Sequence, residues 1–435
     1  MIRIFNHIGF QRYLTNLSWL YSEHIIRLSI GLIIGVWIAR YLGPDQFGLF
    51  NYVQSIVCIF LSIATFGLND IIVRDLVQNV SQQEILLGTA FVIRIVGSSL
   101  LIIVLSIFIF CISKDHLSNI LVIIIAGSSI FQSFQVIEFF FKSKVLSKYV
   151  VFANMISYSI SNFVKICLIV NKASIIAFAC VILFDSITLS CGLIYFYKVN
   201  GHQITKWKFD KHIAMRILND SWPLIISSLV LMIHTRIDQV MLKQMIGNKE
   251  VGYYSVALRI IELFSFIPMM LGASITPAIV NLKNNNSLYT FRLLNYYRVS
   301  FIMFMLTGFP IFLYSEHIIL LLFGNNYLQA GTLLAFFSTR LFFTNFGVAR
   351  NAYILTENLF LYSLLTMVIG CFVNIVLNTL LIPTYSGLGA IFSTIISFTV
   401  TLFIIDLVNP KTRKNALLML KGIITFYKIK IFNDL

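Results

Sequence analysis

Charge is what this sequence has least of. Only 11% of its 435 residues are Asp, Glu, Lys or Arg, where an ordinary soluble domain carries about 25%. A chain this poor in polar groups cannot coat a water-facing surface. A cytosolic enzyme, a nucleic-acid-binding protein and a single-span receptor are thereby excluded. Cysteine is also scarce: Cys58, Cys111, Cys167, Cys180, Cys191 and Cys371 all lie in apolar stretches, with no CxxC pair and no histidine at ligand spacing. They read as inert apolar residues, and no metal set is expected. Nor is there a GxSxG, Walker-type, HExxH or Asp-x-Asp pattern, so no catalytic residue or cofactor is expected and ATP hydrolysis within the chain is not the energy source. The start of the chain has no small-residue cleavage site after a short apolar run, and no removable leader is expected.

What is abundant is apolar surface. The apolar set makes up 58% of the chain and the mean hydropathy is +0.89. About 252 apolar residues, at roughly 20 per crossing, supply about twelve membrane spans and leave little for a soluble domain. Runs of suitable length fall near 17–41, 46–68, 86–112, 118–141, 149–170 and 174–197, then, after the basic stretch 198–220, near 221–246, 252–280, 297–323, 328–354, 358–382 and 385–408. The expected fold is therefore all-α and integral to a membrane. Two six-helix bundles, 1–212 and 213–409, precede a basic amphipathic tail, 410–435, expected along the inner membrane surface. With the N-terminus in the cytoplasm, cytoplasmic segments take 21 of the 32 Lys and Arg, the opposite face five and the spans six. That asymmetry places both termini in the cytoplasm by the positive-inside rule.

The halves resemble one another. Asn16-Leu-Ser-Trp19 stands against Asn219-Asp-Ser-Trp222, and Leu42-Gly43-Pro-Asp-Gln-Phe47-Gly48-Leu-Phe50 against Ile246-Gly247-Asn-Lys-Glu-Val251-Gly252-Tyr-Tyr254, shifted by 203 and 204 residues. A repeat at half-chain distance is a common transporter plan. Locally, Gly43 and Gly48 also fit a simple tight turn.

Polar residues inside the spans recur at helical spacing, as in Ser128, Gln132, Gln135 and Glu138, or Gly370, Asn374 and Asn378. Small and hydroxylated residues let membrane helices pack closely, but ionisable ones need a partner or water. Arg27, Arg94, Lys165, Asp185, Asp238, Arg259, Glu262 and Arg340 are such groups, and together they suggest a wet central cavity. Glu23 with Arg27 and Arg259 with Glu262 also fit structural ion pairs at i,i+4 and i,i+3. His234 lies one turn from Asp238, and Arg236 points away from both. Arg94 and Arg340 have no acidic neighbour on their own helix and suit bidentate binding of phosphate. Pro268, Pro277 and Pro310 fit either hinges or static kinks.

Ile38-Ala-Arg40-Tyr-Leu-Gly-Pro-Asp-Gln-Phe-Gly-Leu-Phe50 and Phe66-Gly-Leu-Asn-Asp-Ile-Ile-Val-Arg-Asp75 resemble the N-terminal signature of bacterial polysaccharide-export proteins, specifically O-antigen flippases of the Wzx type. Arg236-Ile-Asp238-Gln-Val-Met-Leu, Val251-Gly-Tyr-Tyr-Ser-Val-Ala-Leu-Arg259 and Pro277 are similar to that family's second-half signature. The resemblance implies a MATE-like fold with a V-shaped central cavity in the bacterial inner membrane. It implies a transporter and not an enzyme, one that moves undecaprenyl-diphosphate-linked oligosaccharide by alternating access, coupled to a proton or sodium gradient. A polysaccharide polymerase and a chain-length regulator are the protein partners it suggests, besides membrane lipids. Arg27, Arg94, Arg236, Arg259 and Arg340 are the candidates for the anionic head group; Glu138, Asp185, Asp238 and Glu262 are those for ion coupling or gating. Arg40 and Arg74 match family motifs at the membrane surfaces, where structural roles are expected. Two rivals are a drug antiporter on the same scaffold, which the arginine excess disfavours, and a membrane polymerase or ligase, which needs a large outer loop.

Overall fold

The computed structural model describes residues 8–112 and 115–429; Arg3, Lys114 and the end of the tail from Lys430 lie outside them. Among the described residues all regular structure is helical. Ten stretches are long and apolar enough to cross a membrane, and the chain is a multi-pass membrane protein of the expected all-α class. Two of the ten each contain two helices that meet at a non-helical residue, which gives the twelve expected. Ile8–Ala64 is broken at Gly43 (φ 69°, ψ 172°) into arms α1 and α2. Phe360–Thr399 is broken at Ser386 (φ 50°, ψ −129°) into α14 and α15. Gly43 adopts a positive φ without a side chain to oppose it, and Pro44 follows at the first position of the next helix, where its missing N–H costs nothing. At the second break Glu250 Oε1 accepts the freed amide of Gly387 at 2.9 Å. Helix continues through Pro268, Pro277 and Pro310, so the breaks fall elsewhere than at those prolines.

Between these arms run α3 (Leu68–Gln78), α4 (Gln83–Ile112), α5 (His116–Gln132), α6 (Val136–Ser143), α7 (Ser147–Val170), α8 (Ile175–Val199), α9 (Lys211–Met245), α10 (Asn248–Val280), α11 (Asn286–Phe323), α12 (Gln329–Phe337) and α13 (Arg340–Thr356). The last two α-helices among the described residues are α16 (Ile405–Val408) and α17 (Pro410–Ile424). The helices gather into two compact units. One comprises residues up to Leu42 and Tyr52–Met232; the other comprises Gly43–Asn51 and the chain from Ile233 on.

In the first unit, Leu68, Ile72, Leu76, Leu86, Leu87, Ile137, Phe140, Phe141 and Leu193 form a buried core. Its polar tie joins α3 to α9: buried Asp75 accepts from Arg74 at 3.0 Å and from Arg216 at 2.8 Å, and Arg74 also meets Asp220 at 3.4 Å. The link between α8 and α9 is packed backbone to backbone, with the Lys208 carbonyl 2.5 Å from where a side chain on Gly88 would begin.

The second unit is built on aromatics. Tyr297, Phe342, Phe343, Phe346, Phe398 and Phe403 stack and cross at 4.6–6.5 Å. The same unit holds an ion pair whose members are not among the ionisable groups singled out in the sequence. Arg350 donates to Asp406 through two nitrogens at 2.7 and 2.8 Å, Tyr362 adds a third bond at 2.7 Å, and Asp406 is fully buried.

The sequence repeat has a physical meaning in this unit. A methyl group on Gly48 would overlap the carbonyl oxygen of Asn248, and one on Gly252 would overlap that of Pro44. Residues 44 and 48 of the first copy thus exchange contacts with 248 and 252 of the second under the same 204-residue shift, as self-complementary surfaces do. Only glycine permits backbones to approach so closely.

Gly48→Ala and Gly252→Ala should each lower stability by about 2–3 kcal/mol in thermal unfolding in detergent, through overpacking against rigid backbone. Gly43→Ala meets open space but must hold a backbone conformation essentially reserved for glycine, and should cost about 1–3 kcal/mol. Arg350→Ala should cost about 3–5 kcal/mol because it strands a buried carboxylate. An Arg350→Met, Asp406→Leu double variant should regain most of that loss, and equal unfolding temperatures for the single and double variants would contradict the buried-pair argument.

Candidate functional site

The best-formed polar site lies in the second unit around Asp238. It sits on α9 and is 2% exposed. Its Oδ2 accepts from the Tyr254 hydroxyl of α10 at 2.6 Å and from Thr394 Oγ1 of α15 at 2.7 Å, and its Oδ1 accepts from Asn378 Nδ2 of α14 at 2.7 Å. Four helical segments therefore converge on one carboxylate. All three donors are neutral, so they satisfy the oxygens without cancelling the charge. Around them, Asn374 Nδ2 donates to Thr394 Oγ1 and its Oδ1 accepts from Asn378, both at 3.3 Å, and Gln239 donates to Ser255 at 2.7 Å. The carbonyl oxygen of Asn378 is buried with no hydrogen-bond partner. The cluster thus holds one ionisable group, a carboxylate solvated by two hydroxyls and an amide N–H, and that carboxylate is the group there able to take a proton or pair with an alkali cation.

One turn away, His234 meets Ser397 Oγ at 3.2 Å, while that hydroxyl donates to the Gly370 carbonyl at 2.7 Å. Ser397 has one proton and uses it on Gly370, so His234 Nε2 carries the hydrogen. Arg340 approaches the same region over aromatic faces, 5.5 Å from the Phe337 ring and 6.0 Å from Phe398. Those two rings also touch Tyr254 and His234 respectively. Arg236, on the other side of α9, pairs with Glu262 of α10 at 3.2 Å. Glu262 thus has a partner on α9, beyond the same-helix pairing with Arg259 that spacing suggests.

The remaining candidates belong to the first unit. Arg94 is 5% exposed and donates to the Gln132 carbonyl at 3.2 Å and to Asn69 Oδ1 at 2.9 Å, over the Phe139 ring at 4.9 Å. The Gln132 carbonyl lies where α5 gives way to a 3₁₀ turn, Ser133–Gln135, so Arg94 caps a break in a helix. Its Nε has no partner. Arg27 is exposed and meets Glu23 at 3.5 Å, the i,i+4 pair anticipated from spacing. Glu138 meets Lys142 at 3.5 Å. Asp185 Oδ1 accepts from Ser157 at 3.0 Å and from Ser161 at 2.7 Å, which ties α8 to α7. The structure thus brings together Asp238 with the Arg340 region and Arg236 with Glu262, and gives the first-unit candidates separate local partners.

Tyr254, Asn378 and Thr394 were not among the candidates. Asn374 and Asn378 do announce themselves, as two amides four residues apart in an apolar run. Thr394 carries no such signal, since a membrane threonine usually bonds its own helix.

The model of the polysaccharide biosynthesis protein family matches residues 13–283. No curated protein sequence matches this chain significantly. Among solved structures, the lipid II flippase MurJ in an inward closed conformation is similar at TM-score 0.72 and 17% identity, over 97% of this chain and 94% of that one. An inward-facing multidrug resistance MATE family transporter of the MOP superfamily is similar at 0.69 and 15%, over 96% and 100%. A MOP superfamily transporter from Pyrococcus furiosus, described as having a binding pocket of reversed polarity, is similar at 0.58 and 13%, over 96% and 95%. At these identities the likeness establishes a MATE-like fold, and the family match covers well over half of the chain: the protein belongs to the polysaccharide biosynthesis protein family.

Proposed function

We propose that this chain is a flippase that carries undecaprenyl-diphosphate-linked oligosaccharide, the repeat unit of O-antigen or a related surface polysaccharide, across the bacterial inner membrane. It works by alternating access, with both termini in the cytoplasm, and draws its energy from a proton or sodium gradient. The observation that carries the coupling part is the buried Asp238 carboxylate, held by neutral donors from three other helical segments. Binding a cation there cancels a charge that the membrane interior penalises. Release of the cation restores that charge, and the four helical segments meeting at the carboxylate must answer it. A charge-dependent rearrangement at one buried point is what gradient coupling requires.

The cargo part rests on family membership and on the arginines. Arg340, held only over aromatic rings in the contacts described above, keeps its guanidinium edge available for a diphosphate. Arg27, Arg236 and Arg259 are further candidates for the same anionic group. Arg94 is partly committed to the α5 break, and Glu138, Asp185 and Glu262 have partners within their own units. These would act on the cycle through those partners.

Deletion in the native host, with lipid-linked repeat units assigned to a leaflet, tests the reading as a whole. Complete units should accumulate on the cytoplasmic leaflet while surface polymer disappears. Single units reaching the surface unpolymerised would instead identify a polymerase. Asp238→Asn should cut surface polysaccharide by at least about tenfold at matched protein level, and it should cost about 1–3 kcal/mol of stability by facing an amide toward three donors. If the ion is sodium, replacing choline with sodium should raise the wild-type unfolding temperature and leave Asp238→Asn unmoved. Arg340→Ala should impair export without loss of stability. Arg94→Ala should lower stability by about 1–3 kcal/mol because two acceptors lose their donor; unchanged unfolding and unchanged export together would remove Arg94 from both roles.

A further inference from the structure

Successive residues of α17 advance by about 100° around the helix, which sorts its side chains into three sectors. Thr412, Asn415, Ala416, Met419 and Gly422 are buried. Asn415 accepts the Tyr297 hydroxyl of α11 at 2.7 Å, and Gly422 lies so close that an added side chain would start 2.7 Å from the Tyr297 Cβ. Next to this sector stand exposed Leu417, Leu420 and Ile424, the last 73% exposed, with Arg413 among them in the first turn. Beyond those stand the exposed Lys411, Lys414 and Lys421. A 3₁₀ turn, Phe426–Lys428, prolongs the surface with two exposed aromatics and another cation. No acidic residue occurs from Leu407 to Ile429.

We propose that this outer surface of α17 docks on the anionic phospholipid headgroups of the membrane in which the chain is embedded. A row of lysines beside an apolar strip is the pattern that holds a helix in the headgroup layer: the strip enters the acyl boundary and the cations stay among the phosphates. The lysines are spread along nearly three turns and do not converge on one point, which matches a field of headgroups and not a single bound anion. The helix is also ordered in advance. Asn409 caps it, Pro410 starts it, and Arg298 of α11 ties down its end through Thr425 Oγ1 at 3.1 Å and the Lys428 carbonyl at 3.0 Å. Docking therefore costs little ordering entropy. At its start, Thr412 donates to the Asp406 carbonyl at 3.1 Å, so a helix held by lipid is joined directly to the Arg350–Asp406 pair.

The test uses the full chain in nanodiscs of neutral phosphatidylcholine, with or without anionic phosphatidylglycerol, and follows amide hydrogen exchange over residues 410–428. Anionic lipid should slow exchange there by at least about tenfold in the wild type. High salt should weaken the effect, and a Lys411→Gln, Lys414→Gln, Lys421→Gln variant should lose it. Matching unfolding temperatures in neutral lipid serve as the folding control. If the triple variant fails that control, Lys414→Gln and Lys421→Gln alone should each lose part of the effect. Exchange indifferent to anionic lipid in the wild type overturns the proposal, as does slowing that persists in the variants. Slowing by inorganic phosphate in neutral nanodiscs overturns it too, because the lysines would then form a discrete anion site. None of these readouts depends on transport, so the result stands apart from the flippase reading.

Discussion

Within a lipid bilayer no water is at hand to satisfy a polar group, and everything distinctive in this protein follows from that constraint. With so few charges in the chain, each one inside a span is a structural decision. Asp406 is met by Arg350 in a two-pronged pair, Asp185 by two serines of the neighbouring helix, and Arg94 by a backbone carbonyl at a helix break and an asparagine oxygen. Asp238 differs in reach: its three donors come from three other helical segments, so four segments meet on one carboxylate.

The same constraint explains the architecture around that acid. Backbone groups exposed by a broken helix must also be met internally, and Glu250 meets the Gly387 amide just past Ser386. Glu250 belongs to the second copy of the glycine-bounded repeat, so one short segment both braces the α14–α15 break and, through Gly252, receives the backbone of the first copy at Pro44. Close backbone packing and a buried acceptor at a helix break are two answers to one problem.

The class of fold is legible in the sequence because membrane crossing is written in run length and apolarity, which are local properties. The half-chain repeat is legible too, since its glycines answer local demands, positive φ at Gly43 and Gly247 and backbone contact at Gly48 and Gly252. Partnership is where reading fails. The i,i+4 pair of Glu23 and Arg27 is visible by spacing, whereas Glu262 meets an arginine from another helix, and Arg350 finds an acid 56 residues on. Helix rotation decides these contacts, and a uniformly apolar helix leaves rotation unspecified. Thr394 shows the limit most clearly: on the page it is one hydroxyl among many, and only the placement of α15 against α9 makes it a ligand of Asp238.

The second compact unit contains nine residues, Gly43–Asn51, borrowed from the early part of the chain. During synthesis those residues leave the ribosome roughly 200 residues before the segment they must pack against, a wait of about ten to forty seconds at ordinary translation rates. The bend at Gly43 must therefore be held through that interval by its own backbone preference and by the adjoining Pro44. The second unit cannot be completed by its own later sequence alone, so a chain severed between the halves would be able to assemble only if the fragment carrying Gly48 were still at hand when Gly252 arrived.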